Sequence, residues 1–171
     1  KRARQRFSTA ADAKFRVVER IRGSVNTDFG VPHEVARKDT TPLSAADGKR
    51  LAALVNAAWA LFDEVAGKAP NELKKGPRGG GRDRDHIIDH VIRADGIYAR
   101  KLGLRMAAPS PADSAAVKTF RRAVLDALAR PSNGAPLVEK GWPQRYAARR
   151  IAWHAIDHAW EIEDRTQPST G

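Results

Sequence analysis

The chain has 171 residues, of which 42% are hydrophobic, and it carries a formal net charge of +11 and no cysteine. This length lets one domain bury a sizeable core, and the lack of cysteine excludes disulfides and thiolate ligands, so that any metal must be held by His, Asp or Glu. No stretch approaches the roughly 18 apolar residues of a membrane span or the apolar run of a signal peptide, which predicts a cytoplasmic protein with no membrane partner.

The positive charge is densest near the N-terminus. Residues 1–45 hold ten Lys or Arg against five Asp or Glu, whereas the remaining 126 residues hold 21 against 15. A basic domain gains affinity for phosphate backbones by counterion release, so nucleic-acid binding through this tail is one interpretation. Because the excess in the rest of the chain is small for its length, we favour a solvated, mildly basic surface and disfavour nucleic acid as a partner.

Residues 1–43 are predicted to form a basic extension to a bundle that covers residues 44–171. Residues 14–22 mix β-branched residues with alternating charge, which favours a short edge strand, although the run Thr9–Asp12 could instead cap a short helix. Residues 24–32 and 39–42, which contain Gly30 and two prolines, predict loop. Since the sequence starts without methionine, we expect the extension to be the remnant of a longer chain, packed on the bundle or crossing over it.

Four amphipathic helices are predicted after the extension, each bounded by a cap or by a glycine or proline. They cover approximately residues 44–67, 83–102, 110–130 and 143–165. Ser44 and Ser110 are the expected N-caps of the first and third helices, and Gly103 is the expected end of the second. Trp59 and Phe62 lie on the apolar face of the first helix. These segments predict an all-α fold, an up-down four-helix bundle.

The connection between the first two helices is rich in glycine and arginine. Its segment 76–84 leads into the N-terminus of the second helix, so Arg78, Arg82 and Arg84 could bind an anionic small-molecule substrate there. The alternative is a flexible basic loop, which we favour slightly. The segment is not a nucleotide-binding P-loop, because no Lys-Ser/Thr pair follows it.

Four of the five histidines form two H-x-x-x-H pairs, His86/His90 and His154/His158, in the second and fourth helices. Residues four apart share a helix face. His154, His158 and His90 fall within the apolar arcs of their helices, whereas His86 falls at the edge. A single buried imidazole is usually only a hydrogen-bonded core residue, but two pairs in one small chain favour a metal site.

We therefore predict a divalent-metal site built from His90, His154 and His158. Neutral imidazoles suit zinc first, with nickel, manganese or iron as alternatives, and three protein ligands leave one position open for water or substrate. Glu161 lies three residues after His158 and could order a ligand or act as a catalytic base. Asp89 and Asp157 could serve in the same way, although ion pairs with neighbouring arginines explain each of them as well.

Two segments carry a resemblance to a known family. Residues 87–103, IIDHVIRADGIYARKLG, and residues 150–161, RIAWHAIDHAWE, resemble the DinB/YfiT-like superfamily of four-helix-bundle metalloenzymes. In that family one histidine of the second helix and an H-x-x-x-H pair of a later helix bind a divalent metal, and matching positions here are His90, His154 and His158. The resemblance covers residues 44–165, and neither His86 nor the N-terminal 45 residues have a counterpart in it.

The resemblance implies thiol chemistry. Characterised relatives include S-transferases that use bacillithiol or mycothiol and a mycothiol-dependent maleylpyruvate isomerase. Because this chain has no cysteine, such a thiol would come from a cosubstrate. Dimers are common in the family. We therefore expect the apolar face formed by Trp153, Ile156 and Trp160 to pack either against a second copy of the chain in a homodimer or against the N-terminal extension.

Two further functions are compatible with the sequence. One is a non-catalytic binding module that contacts nucleic acid through the tail and the Arg-Gly loop, with structural histidines. The other is a bundle whose metal is structural and fully enclosed by protein ligands. Ferritin-like di-iron chemistry is disfavoured because the sequence contains no Glu-x-x-His pair.

Overall fold

A computed structural model describes residues 2–3, 16–28, 30–76 and 80–166. Within these ranges the chain forms five α-helices and one 3-10 helix: α1 (Val25–Asp28), the 3-10 helix (Arg37–Thr40), α2 (Ala45–Lys68), α3 (Arg84–Lys101), α4 (Ser114–Ala129) and α5 (Gln144–Arg165). The four long helices α2 to α5 pack together, so the predicted all-α bundle is confirmed. In the described ranges, β pairing is limited to an isolated antiparallel bridge between Leu43 and Ser132.

The predicted N-terminal strand is wrong over residues 16–22, the part of it that the structure describes. These residues adopt no regular structure, and the side chains of Val17 and Val18 are 67% and 76% exposed. A strand needs a partner for its backbone N–H and C=O groups, and a helical bundle offers none. The short helix α1 lies in the segment predicted as loop, and the Thr9–Asp12 run lies outside the described residues.

Side-chain caps define where two of the helices begin. The Ser44 hydroxyl accepts a hydrogen bond from the Asp47 backbone N–H at 3.1 Å, as predicted for the start of α2. The predicted Ser110 cap is wrong, because α4 begins four residues later and Asp113 accepts from the Ala116 N–H at 2.9 Å. Ser110 instead closes a separate turn, in which its carbonyl accepts from the Asp113 N–H.

The end of α3 depends on a glycine. Gly103 follows the last residues of the helix with φ +84°, a conformation that costs glycine little and other residues much more. The backbone N–H of Leu104 then donates to the Ala99 carbonyl at 3.0 Å, which satisfies one of the last free carbonyls of the helix. The predicted helix end at Gly103 is confirmed.

Contacts between helix ends show that α2 and α5 run in the same direction. Arg145 pairs with Asp47 where both helices begin, and the Lys74 N–H donates to the Arg165 carbonyl near the place where both end. The backbone of Gly48, at the start of α2, lies against Ala129, at the end of α4, so α4 runs opposite to α2.

Helix α3 also runs opposite to α5. The Trp142 N–H, just before α5, donates to the carbonyl of Lys101, the last residue of α3. The four helices therefore run up, down, down and up. The alternating up-down order predicted from the sequence is wrong, because the 102–113 connection carries the chain across the bundle and α4 runs in the same direction as α3. This order places α3 beside α5, and these are the two helices that carry the H-x-x-x-H pairs.

Residues 31–43 lie along the outer face of α5. The Tyr146 hydroxyl donates to the His33 carbonyl at 2.6 Å, and the Arg149 guanidinium pairs with the Asp39 carboxylate. Leu43 is buried, and its bridge with Ser132 fixes the point where the extension reaches α2. This part of the extension is thus packed on the bundle.

The core between the helices is formed by apolar side chains at helical spacing. Trp59 and Phe62, predicted on the inner face of α2, are both almost fully buried. Their partners from the other helices include Ile87, Val91, Val124, Leu128, Ile151 and Ile162. In the described part of the chain, every helix is too short or too polar to cross a membrane.

Candidate metal centre

The antiparallel pair of helices α3 and α5 brings three histidines together. The ring centroid of His90 lies 5.2 Å from that of His154 and 4.9 Å from that of His158, and the two rings on α5 are 4.5 Å apart. One ring nitrogen from each residue lies within 4.8 Å of the other two. This cluster could hold a metal ion, and it consists of the same three histidines that the sequence predicts as ligands.

Burial differs among the three rings. His154 and His158 are only 7% and 6% exposed, whereas His90 is half-buried. His90 is therefore the ring of the cluster that is partly exposed to solvent, while the bundle core encloses the other two rings. His86, one turn before His90, is exposed and lies outside the cluster.

The spacing of the two α5 rings fits a metal. Their Nε2 atoms are 3.2 Å apart. Two nitrogen ligands at about 2.0–2.1 Å from a tetrahedral zinc ion are separated by roughly 3.3 Å. Because the His158 proton is on Nδ1, the His154 Nε2–H donates to the His158 Nε2 lone pair when no ion is bound. With the His154 proton on Nδ1 instead, both Nε2 lone pairs would be free to bind one shared ion. The donor set and its spacing thus suit a divalent ion that accepts imidazole.

Glu161 fixes the orientation of His158. Its Oε2 atom lies 2.6 Å from the His158 Nδ1 atom, so the ring N–H donates to the carboxylate and the Nε2 lone pair faces the cluster. The Arg165 guanidinium, one turn further along α5, donates to the Glu161 Oε1 atom at 3.0 Å. These contacts give Glu161 a positioning role, and its predicted role as a catalytic base stays a prediction.

The protonation states also suit metal binding. Burial, together with the charges of the neighbouring histidines, lowers the pKa of His154 to about 3, and burial lowers the pKa of His90 below its usual value. Both rings are therefore neutral near pH 7, which is the form that binds metals. The hydrogen bond from His158 lowers the pKa of Glu161, which keeps it a carboxylate.

Replacing Glu161 by glutamine is expected to weaken zinc binding by about 10- to 100-fold, because the neutral amide cannot raise the basicity of His158 as a carboxylate does. Competition with a chromophoric chelator measures the change. Glu163→Gln is the matched control, since Glu163 is exposed on the same helix and should leave the affinity unchanged. Equal affinities for wild type and Glu161→Gln would show that the contact does not tune the ligand.

The three arginines predicted to bind a substrate have different surroundings. Arg82 lies near the cluster, with its Nη2 atom 3.7 Å from the Glu161 Oε2 atom. Arg84 is not brought to the histidines: it donates to the Ala69 carbonyl at 2.7 Å and pairs with Asp85. Arg78 lies outside the described residues. Substrate binding by any of the three stays a prediction.

Two aromatic residues and one arginine lie beside the cluster, a position that was not predicted for any of them; Trp153 was predicted only as part of an apolar face with Ile156 and Trp160. The Tyr98 and Trp153 rings lie 5.7 and 6.3 Å from the His154 ring. Arg150 lies between these two rings. Its position four residues before His154 was the available signal, because that spacing puts the two residues on one face of α5. Asp89, by contrast, forms the predicted surface ion pair with Arg93 at 2.8 Å.

The fold and the site together define an all-α bundle with a three-histidine cluster that could bind a metal. No family model, no curated protein and no solved structure matches this chain.

Proposed function

We propose that this protein is a divalent-metal-dependent enzyme of the DinB-like type, with its metal held by His90, His154 and His158. The observation that carries the proposal is the convergence of three imidazoles, two of them buried and one half-buried, with no cysteine in the chain and no fourth side-chain ligand among the described residues. Three protein ligands with access from one side are typical of catalytic rather than structural metal sites.

We further propose that the reaction uses a low-molecular-weight thiol such as mycothiol or bacillithiol, either in transfer to an electrophile or in a thiol-dependent isomerisation. A divalent ion in this centre would supply a Lewis acid that lowers the pKa of the thiol and holds its sulfur. The motif around His90 and the H-x-x-x-H pair supports this choice, and the absence of cysteine requires that the sulfur come from a cosubstrate.

The residues of the chain would divide the remaining work. Glu161 holds His158 in the tautomer whose Nε2 atom faces the cluster, and Arg165 holds Glu161. Neutral His154 and His90 provide ligands without competing protons near pH 7. Arg82 places a positive charge at the edge of the cluster, where it favours a thiolate over a thiol.

The test is thiol arylation by zinc-loaded protein. Mycothiol or bacillithiol is mixed with 1-chloro-2,4-dinitrobenzene, and the coloured thioether is followed as its C–S bond forms, chloride leaves and the thiol proton passes to buffer. We expect the rate to depend on both metal and thiol and to fall by about 100-fold or more in His154→Ala. A 100-fold fall corresponds to an activation free energy that is higher by roughly 2.7 kcal/mol. His86→Ala should keep the full rate.

The possible failures separate the parts of the proposal. Bound metal without acceleration for any thiol, including in a maleylpyruvate isomerisation assay, would contradict the thiol chemistry and leave the metal centre. Protein that binds no zinc, nickel, manganese or iron would contradict the metal-dependent function itself. A steeply salt-dependent affinity for DNA or RNA would then support the binding-module alternative.

A further inference from the structure

Arg150 is a buried cation without an anionic partner. Its side chain is 8% exposed, and its Nε and Nη1 atoms have no hydrogen-bond partner among the residues that the structure describes. The Nη2 atom donates a long hydrogen bond of 3.4 Å to the Tyr98 hydroxyl. In the same described ranges, no carboxylate forms a salt bridge with this guanidinium, although most of the buried or half-buried arginines nearby have one.

Such an arrangement is costly without a compensating group. Removing a guanidinium from water loses most of its hydration, and a neutral hydroxyl and two ring faces return only part of it. The Tyr98 and Trp153 ring centroids lie 5.7 and 5.2 Å from the guanidinium carbon, which is within the range of cation–π contact. The unpaired N–H groups remain, and an anion that binds there would satisfy them.

The position of Arg150 connects it to the metal centre. It lies four residues before His154 on α5, which corresponds to about 6 Å along the helix axis and the same helix face. The two rings that enclose its guanidinium also flank the His154 ring. Glu161, the carboxylate nearest to the histidines on this helix, is already engaged by His158 and Arg165 and does not neutralise Arg150.

We propose that Arg150 binds a carboxylate group of the substrate, and that the substrate or thiol of this centre is therefore a small organic acid. This inference rests on the proposed function, since it places the carboxylate about one helical turn from the substrate or thiol atom that would bind at the three-histidine metal centre. A single guanidinium matches the single negative charge of a carboxylate, whereas a phosphate dianion would leave one charge without a partner in the buried site.

The test uses cobalt(II)-loaded protein and two thiols that differ in one charge, 3-mercaptopropionate and its methyl ester. Thiolate binding is read from the visible spectrum of cobalt. We expect wild type to bind the acid at least about tenfold more tightly than the ester, because a buried charge-assisted hydrogen bond favours the acid. In Arg150→Met this preference should vanish while the affinity for the ester stays within about twofold. 2-Mercaptoethanesulfonate is a third probe. If it binds more tightly than 3-mercaptopropionate, the group that Arg150 binds is a sulfonate and not a carboxylate.

A matched variant and a stability measurement keep the result interpretable. Arg100→Met removes the same charge from an exposed position on α3 and should leave the preference for the acid intact. Metal-free Arg150→Met should melt at the wild-type temperature or above it, because an unpaired buried charge has been removed. A lower melting temperature together with an unchanged preference for the acid would show that Arg150 only packs between the two rings, and it would overturn the inference.

Failure of this inference differs from failure of the proposed function. If the ester perturbs the cobalt spectrum and the acid gains nothing, the carboxylate site is wrong and the thiol function stands. If neither thiol perturbs the spectrum, thermal stabilisation by propionate, compared with propionamide at equal ionic strength, decides the matter. Stabilisation of wild type but not of Arg150→Met would support the anion site without the thiol function, and no stabilisation would overturn both.

Discussion

Replacing His154 by alanine is expected to abolish stoichiometric metal binding. Wild-type protein purified without a histidine tag should contain about one divalent ion per chain, and the variant should contain close to none. Losing one of three imidazoles removes a ligand bond and leaves His158 and His90 with only solvent to complete the coordination. Elemental mass spectrometry on the two proteins, purified side by side, measures the difference.

His86→Ala is the matched control for this experiment. His86 belongs to the same kind of H-x-x-x-H pair, but its ring is exposed and outside the cluster, so its removal should leave the metal content unchanged. Equal loss in both variants would indicate adventitious surface binding. Wild-type protein that contains no metal, and that gains no thermal stability from zinc, nickel or manganese, would contradict the metal centre.

The free energy of unfolding of Asp95→Asn, measured relative to wild type, is expected to be larger at high pH than at low pH. Asp95 lies on α3 with 2% exposure, and burial raises its pKa to about 7; the nearby Arg121 guanidinium and Trp59 indole only partly oppose the rise. Its Oδ1 atom has no hydrogen-bond partner among the described residues. The carboxyl group is therefore neutral in the folded protein at pH 5 and ionised without adequate compensation at pH 8.

The direction of the pH effect follows from proton binding. Between the unfolded pKa of about 3.9 and the folded pKa near 7, the folded state of wild type holds one more proton at Asp95 than the unfolded state, so its stability falls as pH rises. The asparagine amide of the variant does not titrate. Urea unfolding measures the free energy of unfolding of both proteins at pH 5 and at pH 8. The difference, Asp95→Asn minus wild type, should therefore be roughly 2 to 3 kcal/mol larger at pH 8 than at pH 5.

The comparison between the two proteins is needed because His154 titrates in the opposite sense. Its lowered pKa makes the folded state gain stability as pH rises toward the ordinary histidine value, but this contribution is equal in wild type and Asp95→Asn and cancels. Asp164→Asn, at an exposed position of α5, should show no pH-dependent gain. A constant difference between wild type and Asp95→Asn from pH 5 to pH 8 would mean that Asp95 is already ionised at pH 5.

The candidate site was largely predictable from helical spacing. Two H-x-x-x-H pairs on amphipathic helices restrict the imidazoles to known faces, and the faces of His90, His154 and His158 are apolar. The Ser44 cap and the Gly103 helix end were predictable for a similar reason, since each depends on residues within one turn. Such local interactions need no knowledge of the rest of the fold.

Other features depend on contacts between distant segments. Residues 16–22 have the composition of a strand, but the bundle supplies no strand to pair with, so the backbone remains irregular. Ser110 and Asp113 are both good N-caps, and only the folded chain decides between them. The pairing of Glu161 with His158 as well as with Arg165 also depends on which rotamers the packed helices allow.

By itself the sequence determined the four long helices, their apolar faces and the three histidines that could bind a metal, because these follow from the fixed period of an α-helix. Only the tertiary structure decided that α3 and α5 lie side by side in opposite directions, that His86 stays outside the cluster, and that Arg150 is buried without a carboxylate beside it. Helix order and the contacts between different helices are properties of chain segments that meet in space, and no spacing along one helix encodes them.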